Sequence, residues 1–232
     1  MLNICDRYLQ GGDRFGHDWV PGECDVSIRP NWFWHESDKP KSAATLLDIF
    51  YKSAGRNCLL LLNVPPNPAG LLSDEDVQVL REFNELRSSI FSNNLAKNAC
   101  LHASSTRDHR FNPRSILNEG MDTYWAPEEN QSDWRLYIDL QEPASFNVLQ
   151  IQEPIQMGQR VIEFHVDVLD GGEWRRVFNG TTVGYQRLLR FQKVISGHLR
   201  FIVDRSRADP LISFLGIYMD PFSVSQKQYS SS

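Results

Sequence analysis

The stretch Cys58-Leu-Leu-Leu-Leu-Asn-Val64, closed by Pro65-Pro66, decides how the first part of the chain folds. A short continuous apolar run that ends at a turn signal reads as a strand buried on both faces. Such strands belong to parallel sheets covered by helices. A buried helix is the competing reading, but the run is too short for one. Upstream, Ala43, Leu46, Leu47, Phe50 and Ala54 fall on one face of a helix over 42–54, and Gly55 is placed to stop it in the left-handed conformation. Before that helix, Asp25-Val-Ser-Ile-Arg29 alternates as a strand does. Downstream, Ser73 with Asp76 three residues later resembles a capping box. Val79, Phe83, Leu86 and Ile90 then form the buried stripe of a helix over 74–92. Strand, helix, strand, helix is the βα unit of a parallel barrel or a doubly wound sheet.

Near residue 95 the pattern changes to period two. Trp134, Leu136, Ile138 and Leu140 alternate with Arg135, Tyr137 and Asp139. Phe164, Val166 and Val168 alternate with His165 and Asp167, and Leu199, Phe201 and Val203 with Arg200, Ile202 and Asp204. Such alternation predicts strands with one solvated face. Gly171-Gly172 reads as a hairpin turn. Many short strands separated by turn signals argue for a sandwich or jelly roll. From Ser223 the chain is polar and serine-rich and reads as a frayed tail.

Composition narrows the function classes. The chain has 232 residues, of which 41% are hydrophobic, and a formal net charge of −5. That supports a folded core and lacks the basic excess of nucleic-acid binders. No apolar run approaches the ~18 residues of a membrane span. The segment Met1 to Glu23 holds Asp6, Arg7, Asp13, Arg14 and Asp18, so it is not a secretory signal as written. Cys5, Cys24, Cys58 and Cys100 show no CxxC spacing and read as buried free thiols. No Asp-x-Asp-x-Asp ligand run is present, and neither a metal nor a cofactor is expected. Asn130-Gln-Ser and Asn179-Gly-Thr are glycan acceptors if the chain is secreted.

Two long stretches resemble a known family. The first is Trp19-Val-Pro-Gly-Glu-Cys-Asp-Val-Ser-Ile-Arg-Pro-Asn-Trp-Phe-Trp-His35, followed by Gly55-Arg-Asn-Cys-Leu-Leu-Leu-Leu-Asn-Val-Pro-Pro-Asn67. It resembles the later part of the catalytic barrel in plant-type α-L-fucosidases of glycoside hydrolase family 29. The second comprises Glu153-Pro-Ile-Gln-Met-Gly-Gln-Arg160, Gly180-Thr-Thr-Val-Gly-Tyr-Gln-Arg-Leu188 and Ser206-Arg-Ala-Asp-Pro-Leu-Ile-Ser213. It resembles the galactose-binding-like, discoidin-type β-sandwich of the same enzymes. The resemblance implies the C-terminal portion of a (β/α) barrel over 1–95, a β-sandwich over 96–222 and a polar tail over 223–232. It also implies a secreted, apoplastic retaining exoglycosidase that releases terminal α1,3/4-linked L-fucose from glycans or glycoproteins. Neither a nucleic-acid nor a membrane partner is implied.

Retaining hydrolysis uses two carboxyl groups, a nucleophile and an acid/base. By resemblance, Glu23 in Trp-x-Pro-x-Glu is the general acid/base. Trp19, Trp32, Phe33 and Trp34 lie near it in sequence, and aromatic walls keep a carboxyl protonated. A surface glutamate paired with Arg29 is the plainer reading of the same residue. The family's nucleophile is an aspartate on an earlier strand, and no residue of this chain matches it. Asp25, two residues from Glu23, is a poor substitute. The isolated chain is therefore expected to hydrolyse little. Trp32, Trp34 and His35 are candidates to line the sugar site, by stacking on the pyranose and bonding its hydroxyls. Asn31 stands where the family often has glycine, which leaves the local backbone open. In the β part, Tyr124, Trp125, Trp134 and Trp174 are candidate sugar platforms, with Trp134 on the core phase of its strand and Tyr124-Trp125 near a loop end. The residues Arg107 to Arg110 read as a solvated loop. A non-catalytic carbohydrate-binding protein built on the sandwich is the other function that fits.

Overall fold

A computed structural model describes residues 12–222. Cys5, Asp6, Arg7 and the tail from Ser223 lie outside the described residues. Strands β1 (Gly22–Ser27) and β2 (Cys58–Asn63) pair in parallel, from Gly22 beside Cys58 to Ser27 beside Asn63. Helix α1 (Ala43–Lys52) joins them and α2 (Asp74–Phe91) follows, which is the predicted order. Ser42 caps α1, its hydroxyl accepting from Thr45 N at 3.2 Å. Ala43, Leu46, Leu47 and Tyr51 form the buried face of α1. Ala54 lies beyond the helix end, and Phe50 is half-buried.

Three local expectations are corrected. Gly55 does not take positive φ; the left-handed residue is Asn57, at φ 65°. What demands glycine at 55 is space. A Cβ there would lie 2.6 Å from Tyr51 O and 3.0 Å from Leu188 Cβ. Ser73 and Asp76 form no capping box. The Ser73 hydroxyl makes no cap bond and accepts instead from Trp34 Nε1 at 2.9 Å, while Asp76 binds Arg29. Strand β2 is half-buried on one face and exposed on the other, with Leu59 61% and Leu61 41% exposed. The helices leave Glu23, Asp25, Leu59 and Leu61 uncovered, because alternate residues of neighbouring parallel strands share a face.

The second part is an antiparallel sheet of β3 (Cys100–Ala103), β4 (Trp134–Gln152), β5 (Val161–Asp170), β6 (Glu173–Gly180), β7 (Arg187–Ser206) and β8 (Phe214–Tyr218). Its order is β3-β4-β7-β5-β6, with β8 on the second half of β4. Breaks in register at Asp139/Ala144 and Phe146/Val148 divide the long β4–β7 pair. Its two halves then contribute to one core: Leu136 and Ile138 from the first half of β4, Phe146, Leu149 and Ile151 from the second, with Phe164, Phe201 and Leu215. The Gly171-Gly172 hairpin forms as expected, at φ 60° and 89°, between Asp170 and Glu173.

The strands buried on both faces are here. Every residue from Phe146 to Gln150 and from Phe214 to Tyr218 is buried. Inward residues such as Leu149 and Ile217 join the main core. Val148, Leu188 and Tyr218 pack instead with Leu47, Tyr51 and Ile90 of the two helices. Phe91 meets Tyr218 edge-on at 5.1 Å, and Tyr51 donates to Asp220 Oδ2 at 3.1 Å. The α1–β2 loop is bound to the same layer: Leu188 N donates to Gly55 O at 2.9 Å, Asn57 Nδ2 to Val183 O at 2.9 Å and Gln186 Nε2 to Ala54 O at 2.9 Å.

The solvated face predicted for His165 and Asp167 is also corrected, since they are only 7% and 3% exposed. Neighbouring charges replace water: His165 Nδ1 lies 2.8 Å from Asp204 Oδ2, and Arg200 Nε donates to Asp167 Oδ2 at 2.8 Å. Among the thiols, Cys24, Cys58 and Cys100 are free but half-buried rather than fully buried. Burial and the adjacent Cys24 push the Cys58 thiol up to about 11.

Candidate active site

The C-terminal ends of parallel strands are where barrel enzymes carry their chemistry. Here β1 runs into the loop that bears Trp32, Trp34 and His35. Asn63, at the end of β2, donates through Nδ2 to Ser27 Oγ at 3.1 Å and to Trp32 O at 2.9 Å. Ser27 Oγ in turn donates to Asn31 O at 2.8 Å. Trp34 is half-buried and pinned by its indole N–H to Ser73 at the start of α2. Trp32 is 51% exposed, with its ring open to solvent, and His35 is exposed. Asn31 holds ordinary negative φ, and its amide donates to Asp38 Oδ2 at 2.8 Å, so the departure from glycine is accommodated.

Beneath this loop lies a pair that the sequence reading did not identify. Arg29 and Asp76 are buried, with Arg29 Nε 3.0 Å from Asp76 Oδ2. Arg29 also donates to the carbonyls of Asp38 and, at 3.5 Å, His35. Lys41 Nζ reaches Ser27 O at 2.5 Å and Arg29 O at 3.1 Å. The loop is thus held from below by charge-assisted bonds.

Glu23 is not part of this assembly. It is exposed, near the N-terminal end of β1, on the uncovered face with Asp25. Four residue steps along the strand separate it from Ser27, a span of ~13 Å. Trp32, Phe33 and Trp34 follow the opposite end of the strand. Arg29 is engaged with Asp76, so the expected surface pairing with Glu23 does not form either.

A cleft of about 490 Å³ opens at the N-terminal end of the strands, lined by Trp19, Gly22, Cys58, Arg56, Arg187 and Arg207 among others. Burial lowers the pKa of Arg56, and the nearby Arg190 charge adds to this. In the β part, Trp125 is fully buried and donates from Nε1 to Ser105 O at 3.0 Å, which removes it as a sugar platform. Tyr124 packs on Phe111 at 5.2 Å. Trp134 is half-buried against the core, and Trp174 is exposed. Asn130 and Asn179 are exposed. Among the described residues no group of three or more His, Cys, Asp or Glu is placed to hold a metal ion.

The Glu153 motif has a structural task. Glu153 is buried, and its carboxylate accepts from the backbone N–H groups of Arg160 at 2.7 Å, Val161 at 2.9 Å and Gly184 at 2.7 Å. Burial pushes its pKa up to about 7 against the pull of those donors.

The family model for α-L-fucosidase matches residues 3–86, a span that takes in β1, α1, β2 and the whole candidate site. An Arabidopsis thaliana protein named α-L-fucosidase 1 is 58% identical over 226 residues, or 95% of this chain. The chain is similar to α-L-fucosidases. It spans 45% of the length of that Arabidopsis fucosidase. Among solved structures, the protein SpGH29 superposes with a TM-score of 0.85 at 38% identity, over 93% of this chain and 47% of its own. A Ruminococcus gnavus GH29 fucosidase, solved with fucose, superposes with a TM-score of 0.83 at 30% identity, over 90% and 43%. The likeness to fucosidases therefore covers both parts of the chain as well as the loop of Trp32 and Trp34.

Proposed function

We propose that this chain serves a retaining α-L-fucosidase acting on terminal α1,3/4-linked L-fucose of glycans or glycoproteins. The observation that carries the proposal is the hydrogen-bonded Trp32–His35 loop at the C-terminal end of two parallel strands, in a chain similar to fucosidases. In this reading residues 1–95 are barrel-type βα units, and residues 96–222 are a galactose-binding-like sandwich. Trp32 stacks on the apolar face of fucose, Trp34 buttresses it, and His35 bonds a hydroxyl. Glu23 is the acid/base on the strength of its motif; its place low on β1 is the observation against that role. The nucleophile corresponds to no residue of this chain, and retention needs both carboxyl groups. Secretion to the apoplast and glycans at Asn130 and Asn179 belong to the same proposal.

Titration of the chain with L-fucose, followed calorimetrically, tests the binding half. A saturable heat from which Trp32→Ala removes the contribution of the loop is expected; no heat beyond dilution, or heat unchanged in Trp32→Ala, sinks the reading of the loop. Release of 4-nitrophenol from its α-L-fucoside tests the chemical half. A rate close to that of buffer is expected. Steady turnover that survives Glu23→Gln would remove Glu23 from the mechanism.

The uncovered carboxylates on β1 also fit a chain that binds sugar without cleaving it. That second reading is favoured by the exposed Trp174 in the β part.

A further inference from the structure

A second cleft, of about 270 Å³, lies across the outer face of the β part, far in sequence from the Trp32 loop. Tyr137, Leu169 and Trp174 line it together with His102, Asp139 and His198. Sheet register explains how they meet: His102 pairs with Tyr137, Asp139 with His198 and Leu169 with Trp174. Side chains on alternate positions of these strands point away from the core and converge.

Trp174 is 37% exposed, yet it is held in place. Arg200 lies over its ring at 4.6 Å, and Tyr137 meets it at 6.3 Å in an edge-on contact. Arg200 is itself fixed by the buried Asp167, through Nε at 2.8 Å and Nη2 at 2.7 Å. A chain of support thus runs from a buried carboxylate to an exposed indole. Beside the indole, His198 Nδ1 stands 3.6 Å from Asp139 Oδ1, and His102 is exposed.

A rigid aromatic face next to a carboxylate and two imidazoles is the chemistry that recognises a pyranose. The ring covers the sugar's C–H face, while the carboxylate accepts from hydroxyls and imidazoles bond them in either sense. The volume sits just below the usual range of ligand sites, ~300–1,000 Å³, and so matches one sugar ring rather than a chain. The guanidinium of Arg200 is engaged by Asp167 and Trp174, which favours a neutral sugar over an acidic one.

We propose that this cleft is a subsite for a single neutral pyranose, stacked on Trp174 and hydrogen-bonded by Asp139, His198 and His102. It rests on the second, sugar-binding reading carried by Trp174 and stands independently of the fucosidase reading, because none of its residues belongs to the Trp32 loop.

Calorimetric titration of the chain with methyl glycosides of fucose, galactose, glucose and N-acetylglucosamine tests it, in the parent and in Trp32→Ala. At least one sugar should give a saturable heat at millimolar concentration in both. Trp174→Ala should weaken that binding tenfold or more, Asp139→Asn several-fold, and Trp174→Phe should restore part of it. Melting curves matching the parent exclude loss of fold in each variant. No heat beyond dilution for any of the four sugars overturns the proposal. So does binding unchanged in Trp174→Ala, or binding lost in Trp32→Ala, which would place the sugar at the other site.

Discussion

Arg29 and Asp76 form an ion pair at 3.0 Å with both side chains out of water, at 2% and 0% exposure. Asp76 lies in the first turn of α2, where the helix dipole favours a negative charge. Arg29 lies two residues past the end of β1 and anchors the carbonyls of the loop above it. Removing one partner strands the other charge in the interior. Asp76→Ala should cost about 3–5 kcal/mol in urea unfolding. The double change Arg29→Met, Asp76→Leu should recover most of that loss. If Asp76→Ala unfolds like the parent, the pair does not hold the loop.

The Glu153 carboxyl holds its proton up to about 7, against an ordinary value of 4.5. Between those values the folded protein binds more protons than the unfolded chain. This group's stabilisation is therefore complete below the ordinary value and is lost as pH rises through about 7. Thermal melts should show stability falling from about pH 5 to about pH 8. Glu153→Gln should flatten that slope while lowering stability overall, since Gln accepts through one oxygen only.

With its thiol pushed up to about 11, Cys58 stays protonated at neutral pH. Only the thiolate attacks an alkylating agent. Iodoacetamide at about pH 8 should modify Cys58 far more slowly in the native protein than in urea. Mass spectrometry of the digested protein measures both rates, and equal rates would contradict the assignment.

Gly55 leaves no room for a methyl group, with Tyr51 O at 2.6 Å and Leu188 Cβ at 3.0 Å from the position a Cβ would take. Gly55→Ala should destabilise by roughly 1–3 kcal/mol, the cost of overpacking a close contact. Its effect should fall on the seam between the helices and the β part. Exchange of the Leu188 amide, which donates to Gly55 O, should accelerate more than that of amides in the main core.

Tyr51 donates to Asp220 across the same seam at 3.1 Å. Burial, followed by the Asp220 charge, raises the hydroxyl well above the usual tyrosine range. Tyr51→Phe should cost about 0.5–1.5 kcal/mol. A phenol titration should show this tyrosine ionising only when the chain unfolds.

Local pattern carried much of the fold. Both helices, the period-two strands and the Gly171-Gly172 hairpin were legible because each depends on neighbours a few residues away. Burial on both faces was not. The leucines of β2 look buried by composition, yet Leu59 and Leu61 face outward, while the mixed run around Asn147 and Gln150 is enclosed. What encloses it is the docking of helices from the other part of the chain, which no local period records. Asp76 shows the same limit. Its spacing from Ser73 suggested a cap, but its partner Arg29 lies 47 residues away. Glu23 and Trp32 look adjacent in sequence, and the extended strand between them keeps them apart.

The seam at Gly55 and Leu188 also bears on how such chains can be recombined. A glycine, a left-handed Asn57 and the carbonyls of Ala54 and Val183 must coincide for the two parts to close. A chimera that keeps the helices and borrows a foreign β part would bring its own backbone to that joint, and a single side chain at position 55 would wedge it open. Shuffling here must carry the α1–β2 loop along with the strands it touches, so the unit of inheritance is the joint rather than either part.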